Sequence, residues 1–123
     1  MKRDHRFFEQ WARRQNMKPV CRVAEADADI LIADSGEPFM GTNKDGNLGR
    51  WYRTAFAIDQ GDKTWLASFN DYPATEFDLV SKREGQQRRV NECLVFARDT
   101  LSKTAATGLY DHGRRESFSK RPN

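Results

Sequence analysis

The chain has 123 residues, 37% of them apolar and 32% charged, with eight Phe, three Trp and three Tyr and a formal net charge of +3. That suffices for one modest hydrophobic core and is too little for two domains, and no apolar run is long enough to span a bilayer. Charges interleaved with aromatics at the N-terminus are unlike a secretory leader, so a cytoplasmic protein is expected.

The first predicted element is a helix capped by Asp4, with Phe7, Phe8 and Trp11 forming an apolar stripe and Arg3, Arg6, Arg13 and Arg14 placed elsewhere around its axis. Asn16 and Pro19 end it. VCRVAE and DILIA then read as a strand hairpin that sets Cys21 opposite Ile32 and Val23 opposite Ile30. Asp34 to Gly49 is crowded with Gly, Asn, Asp and Pro and reads as a long loop holding a short edge segment at Pro38 to Gly41.

A second hairpin is predicted around Gln60 and Gly61. With Ile58 facing Lys63, Phe56 stands opposite Trp65 and Tyr52 opposite Phe69, and these four rings turn inward together. Trp51, Arg53 and Leu66 project to the other face, which offers a seam for a homodimer. EFDLV reads as a further strand. Ser81 and Glu84 form a capping box for a second helix that buries Val90, Cys93, Leu94, Ala97 and Leu101, with Gly85 moving its regular start toward Gln86 and Gly108 stopping it.

Helix, strands, helix predicts a single α+β domain over residues 1–108. Its antiparallel sheet has about four to five strands, with the N-terminal and C-terminal helices packed on one face. Residues 109–123 read as a basic, flexible tail. Cys21 and Cys93 follow no metal spacing and are expected as reduced apolar fillers.

Charge carries most of the functional signal. Residues 1–18 hold six basic and two acidic side chains, whereas residues 19–49 hold two basic and six acidic. Lys2, Arg3, Arg6, Arg13 and Arg14 at one end, with Arg88, Arg89, Arg114, Arg115, Lys120 and Arg121 at the other, are candidates for one phosphate-binding stripe. Trp51, beside Arg50 and Arg53, is a candidate secondary contact in which the indole stacks a base, the alternative being a Trp pinned against the long loop. The leading expectation is therefore a small non-catalytic binding protein that engages nucleic acid or a nucleic-acid-handling complex. Its rival is a protein–protein inhibitor or adaptor acting through the acidic segment and the long loop.

Glu25, Asp27 and Asp29 alternate, so an extended chain would aim three carboxylates at one side, the arrangement a metal-dependent enzyme would use for a hard cation. NKDGNLG lacks the acids of a calcium loop, and neither a nucleotide phosphate loop nor a nucleophile elbow is present. His5 and His112 stand near opposite ends with no nucleophile beside them in sequence. No cofactor is called for.

Overall fold

The computed structural model describes residues 5–107. Helix α1 (Arg6–Arg14) is followed by strands β1 (Lys18–Ala24), β2 (Asp29–Asp34), β3 (Phe39–Thr42), β4 (Leu48–Asp59) and β5 (Thr64–Pro73), a 3-10 turn (Ala74–Phe77) and the long helix α2 (Lys82–Thr107). All strand pairings are antiparallel, β1 with β2, β2 and β3 with β4, and β4 with β5. Trp51 is paired with both Phe39 and Pro73, so β3 and β5 lie on opposite edges of β4. β2 and β3 thus run end to end along one edge of β4. The α+β class, the antiparallel sheet and the two terminal helices are as expected.

The placement of the helices is not. Alternation along β2 and β4 gives the sheet two apolar faces of different relief. Ile30, Ile32, Phe56 and Ile58 point to one side and join Trp65, Ala67, Val90, Cys93 and Ala97 of α2 and β5. Leu31, Ala33, Ala55 and Ala57 point to the other and join Phe8, Ala12 and Met17. The helices therefore cover opposite faces, because the alanine face is as apolar as the bulky one and also has to be kept from water. Its small side chains leave a shallow bed into which Phe8 and Met17 are sunk.

Local chemistry explains where α1 ends. Asn16 has φ +62, the left-handed value that Asn tolerates, and two hydrogen bonds, Asn16 N to Arg13 O and Met17 N to Ala12 O, close the last turn as a Schellman motif. Met17, just beyond, drops into the core. The expected cap, Asp4, lies outside the described residues, as do Gly108 and the tail 109–123.

The first hairpin has the expected register, Cys21 against Ile32 and Val23 against Ile30. In the second, Phe56 pairs with Ala67, Ile58 with Trp65 and Thr54 with Phe69, two residues away from expectation. The turn is longer because Asp59 already pairs with Thr64, while Gln60 N bonds Lys63 O and Gly61 N bonds the Asp59 carboxylate. A shift of two keeps every side chain on its face. Phe56 and Trp65 are buried, and Tyr52 and Phe69 are half-buried on the α2 side. A bulge between Phe69 and Tyr72 then swings Tyr72 opposite Tyr52.

Two further expectations are corrected. Asp34 to Gly49 is not one long loop: the expected edge segment at Pro38 to Gly41 is β3, which folds back on the start of β4 as a hairpin. EFDLV is not a strand. After Pro73 the chain turns through Ala74–Phe77, and Phe77 is buried edge-on against Tyr52.

Sheet and α2 are joined by a buried ion pair. Arg89, 2% exposed, donates from Nε to Asp34 Oδ1 and from a terminal nitrogen to Oδ2, both at 2.9 Å, and Asp34 is 1% exposed. Asp34 also accepts from the Thr54 hydroxyl, Gly36 N and Gln86 Nε2. The guanidinium lies 3.7 Å from the Tyr52 ring centroid and 4.8 Å from that of Phe77. Gly85 belongs to this arrangement and does not delay the helix: a Cβ there would stand 3.1 Å from the Phe77 ring and 3.4 Å from an Arg89 nitrogen.

Arg89→Met strands a buried carboxylate and is expected to cost about 3–5 kcal/mol in urea unfolding, the range found when one partner of a buried pair is removed. Gly85→Ala, which in an exposed helix stabilises by roughly 0.5–1 kcal/mol, should here lower Tm, because Phe77 is held on both sides and has nowhere to yield.

Candidate nucleic-acid interface

α1 divides its residues by the 100° step of a helix. Phe8 and Ala12 point into the sheet, and the positions on the opposite side are Arg6, Gln10 and Arg13, with Arg14 and Glu9 on the flanks; all five are exposed. Lys18 and Arg22 are exposed on the adjoining edge strand β1. The outer surface of α1 and the face of β1 beside it therefore present Arg6, Arg13, Arg14 and Arg22, with Glu9 as the acid on the helix, whereas Lys18, opposite Asp34, lies on the α2 side. Both basic residues of the last turn, Arg13 and Arg14, also sit where the helix dipole favours positive charge.

The start of this helix lies against two carboxylates. Asp29 and Asp59 face each other across the β2–β4 ladder, each 6% exposed, and His5 Nε2 lies 3.2 Å from one carboxylate and 3.5 Å from the other without the alignment of a hydrogen bond. Arg22 approaches Asp29 at 3.9 Å. At the other end Gln15 receives hydrogen bonds from Ser68 and, through its carbonyl, from Arg53. The ridge is thus fixed at both ends to the sheet.

The remaining predicted contacts separate into surface and interior. Arg50 is exposed on β4. Arg88 is exposed, its guanidinium 5.1 Å from the Phe77 ring. Arg89 is buried against Asp34 and does not face a ligand. For Trp51 the pinned alternative holds over the stacking contact: it is 9% exposed, its indole nitrogen donates to Gly41 O at 3.0 Å, and the ring lies where a Cβ on Gly49 would approach within 3.3 Å. Gly49 gives the indole its bed and Gly41 across the ladder its acceptor, so Trp51 is pinned against the β3–β4 hairpin and offers no stacking face. Arg53 bonds Asn70 Oδ1 at 2.8 Å and lies over Phe39 at 4.6 Å, and burial lowers its pKa. Leu66 packs in the α1 cluster, so the face expected as a dimer seam is covered by α1. Lys2, Arg3, Arg114, Arg115, Lys120 and Arg121 lie outside the described residues. Because α1 and α2 are on opposite faces, Arg13 and Arg88 do not share one stripe.

The acidic trio does not converge. Glu25 pairs with Arg98 at 3.3 Å, Asp29 faces His5, and Asp27 is exposed in the intervening turn. Among the described residues no group of three or more His, Cys, Asp or Glu is arranged to hold a metal ion, and none of the helices is long and apolar enough to cross a membrane.

Both cysteines are unbridged, Cys21 half-buried and Cys93 buried on the inner face of α2. Burial, reinforced by the nearby Asp34 carboxylate, pushes the Cys93 thiol well above its ordinary pKa. Iodoacetamide at pH 8 should therefore leave Cys93 unmodified in the folded protein and label it fully in urea, as read by peptide mass spectrometry. Rapid labelling in the native state would contradict the packing of α2. Comparison of the chain with protein-family models, curated proteins and solved structures gave no match.

Proposed function

We propose that the protein is a small non-catalytic binding protein that contacts nucleic acid, alone or within a nucleic-acid-handling complex, through the outer surface of α1 and the adjoining edge of β1. The observation that carries this reading is the sorting of charge. Arg53 and Arg89 are spent inside the fold, Arg89 on Asp34, while Arg98 and Lys82 are paired at the surface with Glu25 and Glu37. α1 keeps its arginines outward with a single acid, Glu9, among them. A surface of this kind attracts the phosphate backbone and releases its counterions.

Titration of a fluorescent 20-base-pair duplex and of single-stranded DNA and RNA at two salt concentrations tests the reading. With three phosphate contacts, affinity for the duplex should fall on the order of 40-fold between 50 and 200 mM salt. Arg13→Gln with Arg14→Gln should remove most of the binding with little change in Tm, since both side chains are exposed and no negative charge is placed at the helix C-terminus. No association with any of the three at 50 mM salt overturns it.

One observation favours a second reading as a protein–protein adaptor. Met40 and Leu48, 64% and 73% exposed, stand diagonally across the β3–β4 hairpin, beside Arg50. Under this reading a partner protein captured from the native host survives nuclease treatment and is lost with Met40→Asp and Leu48→Asp together.

A further inference from the structure

We infer that α1 enters the major groove of duplex DNA and reads base edges there with Gln10 and Arg13, while Arg14 and Arg22 take flanking phosphates. This rests on the proposed nucleic-acid reading and narrows it to one substrate class. The geometry of the ridge separates duplex DNA from the other nucleic acids. Single strands are held by stacking their bases on exposed aromatic rings. On α1, Phe8 is buried, and Phe7 and Trp11 are half-buried against the sheet; Trp51 is buried as well. The outward side presents guanidinium and amide groups and no exposed aromatic ring, so the successive stacking platforms of single-strand binders are not found on α1. Double-stranded RNA is excluded by shape, because the A-form major groove is too narrow for side chains to read. The B-form major groove, about 12 Å wide, admits an α-helix about 10–12 Å in diameter.

α1 is suited to that groove by position and by chemistry. Among the described residues it is the outermost layer on its side of the sheet, with its inward residues sunk among Leu31, Ala33, Ala55 and Ala57 and its outward ones exposed. Arg6, Gln10 and Arg13 follow at i, i+4 and i+7, one straight ridge along the middle of the exposed side. Glutamine pairs with the N6 and N7 edge of adenine through both its amide groups, and arginine pairs with O6 and N7 of guanine through two donors. Gln10 is thus flanked by two potential guanine readers, with Arg14 a further 100° around the helix, where a phosphate strand passes. The 9 residues of α1 span about 13 Å. That length covers about four base pairs at 3.4 Å each.

The test is selection from a random duplex library with the full chain at 100 mM salt, followed by titration of the selected and scrambled sequences. The selected pool should carry a motif of about four base pairs with adenine next to guanine. Gln10→Ala should cost tenfold or more on the selected sequence and nothing on the scrambled one. Arg14→Ala should weaken both alike and reduce the salt slope by about one. A pool without a motif, or a Gln10→Ala variant that keeps the full preference, overturns base reading and leaves the nucleic-acid reading standing. Binding confined to RNA or single strands has the same consequence. Failure to bind any nucleic acid overturns both.

Discussion

The buried contact between Asp34 and Arg89 is the constraint on which the arrangement of the chain depends. Asp34 closes β2 at the point where the chain leaves one segment of the β4 edge and begins another, and Arg89 lies one turn past Gly85 in α2. A bidentate pair with the carboxylate's remaining capacity filled by Thr54, Gly36 and Gln86 is geometrically specific. Removing two charges from water is expensive, and that cost is offset only when each donor and acceptor finds its place. The pair therefore selects one rotation and one height for α2 on the sheet, which apolar packing alone would leave less sharply defined. Tyr52 and Phe77 flank the guanidinium and Gly85 allows Phe77 to reach it, so the turn after β5 is fixed by the same contact.

With α2 committed to the face that carries Asp34, Ile30, Ile32, Phe56 and Ile58, the alanine face falls to α1. A helix of nine residues is marginal by itself. It persists here through Phe8, Ala12 and Met17 beneath it, the Schellman closure after it, and His5 wedged between Asp29 and Asp59 before it. The same burial that stabilises α1 decides which residues remain outside. Phe8 and Ala12 fix the inward direction, and Arg6, Gln10 and Arg13 have no other place to go.

Much of this was legible in the sequence where the pattern was local. The β1–β2 register follows from alternation and a short turn, which leave one pairing that buries Cys21, Val23, Ile30 and Ile32 together. The β4–β5 register came out two residues off because the Asp59 side chain and the Gln60–Lys63 bond enlarge the turn, which alternation does not report. Counting helices and one apolar face put both helices on that face; the second face was visible as Ala33, Ala55 and Ala57, but small residues are quiet in a hydrophobic pattern. Trp51 and Arg53 looked like a contact pair because neighbouring residues suggest joint action. Gly41, Asn70 and Phe39, which claim them, are ten or more residues away.

The arginines make the same point in terms of energy. A guanidinium on an exposed helix and one in a core are the same letter in a sequence, and the difference lies in whether a carboxylate or a carbonyl waits at the right distance. Arg88 and Arg89 are adjacent, yet a 100° step places one on the surface and the other against Asp34. Net charge and basic clusters therefore overstate what is available to a partner until interior pairs are set aside. Once Arg53 and Arg89 are removed from the count, the positive field on the α1 side no longer depends on adding distant segments: it comes from one rigid helix and one edge strand. A field produced by a rigid element has a fixed shape, and a ligand with a fixed spacing of charge is better matched to it than a flexible one.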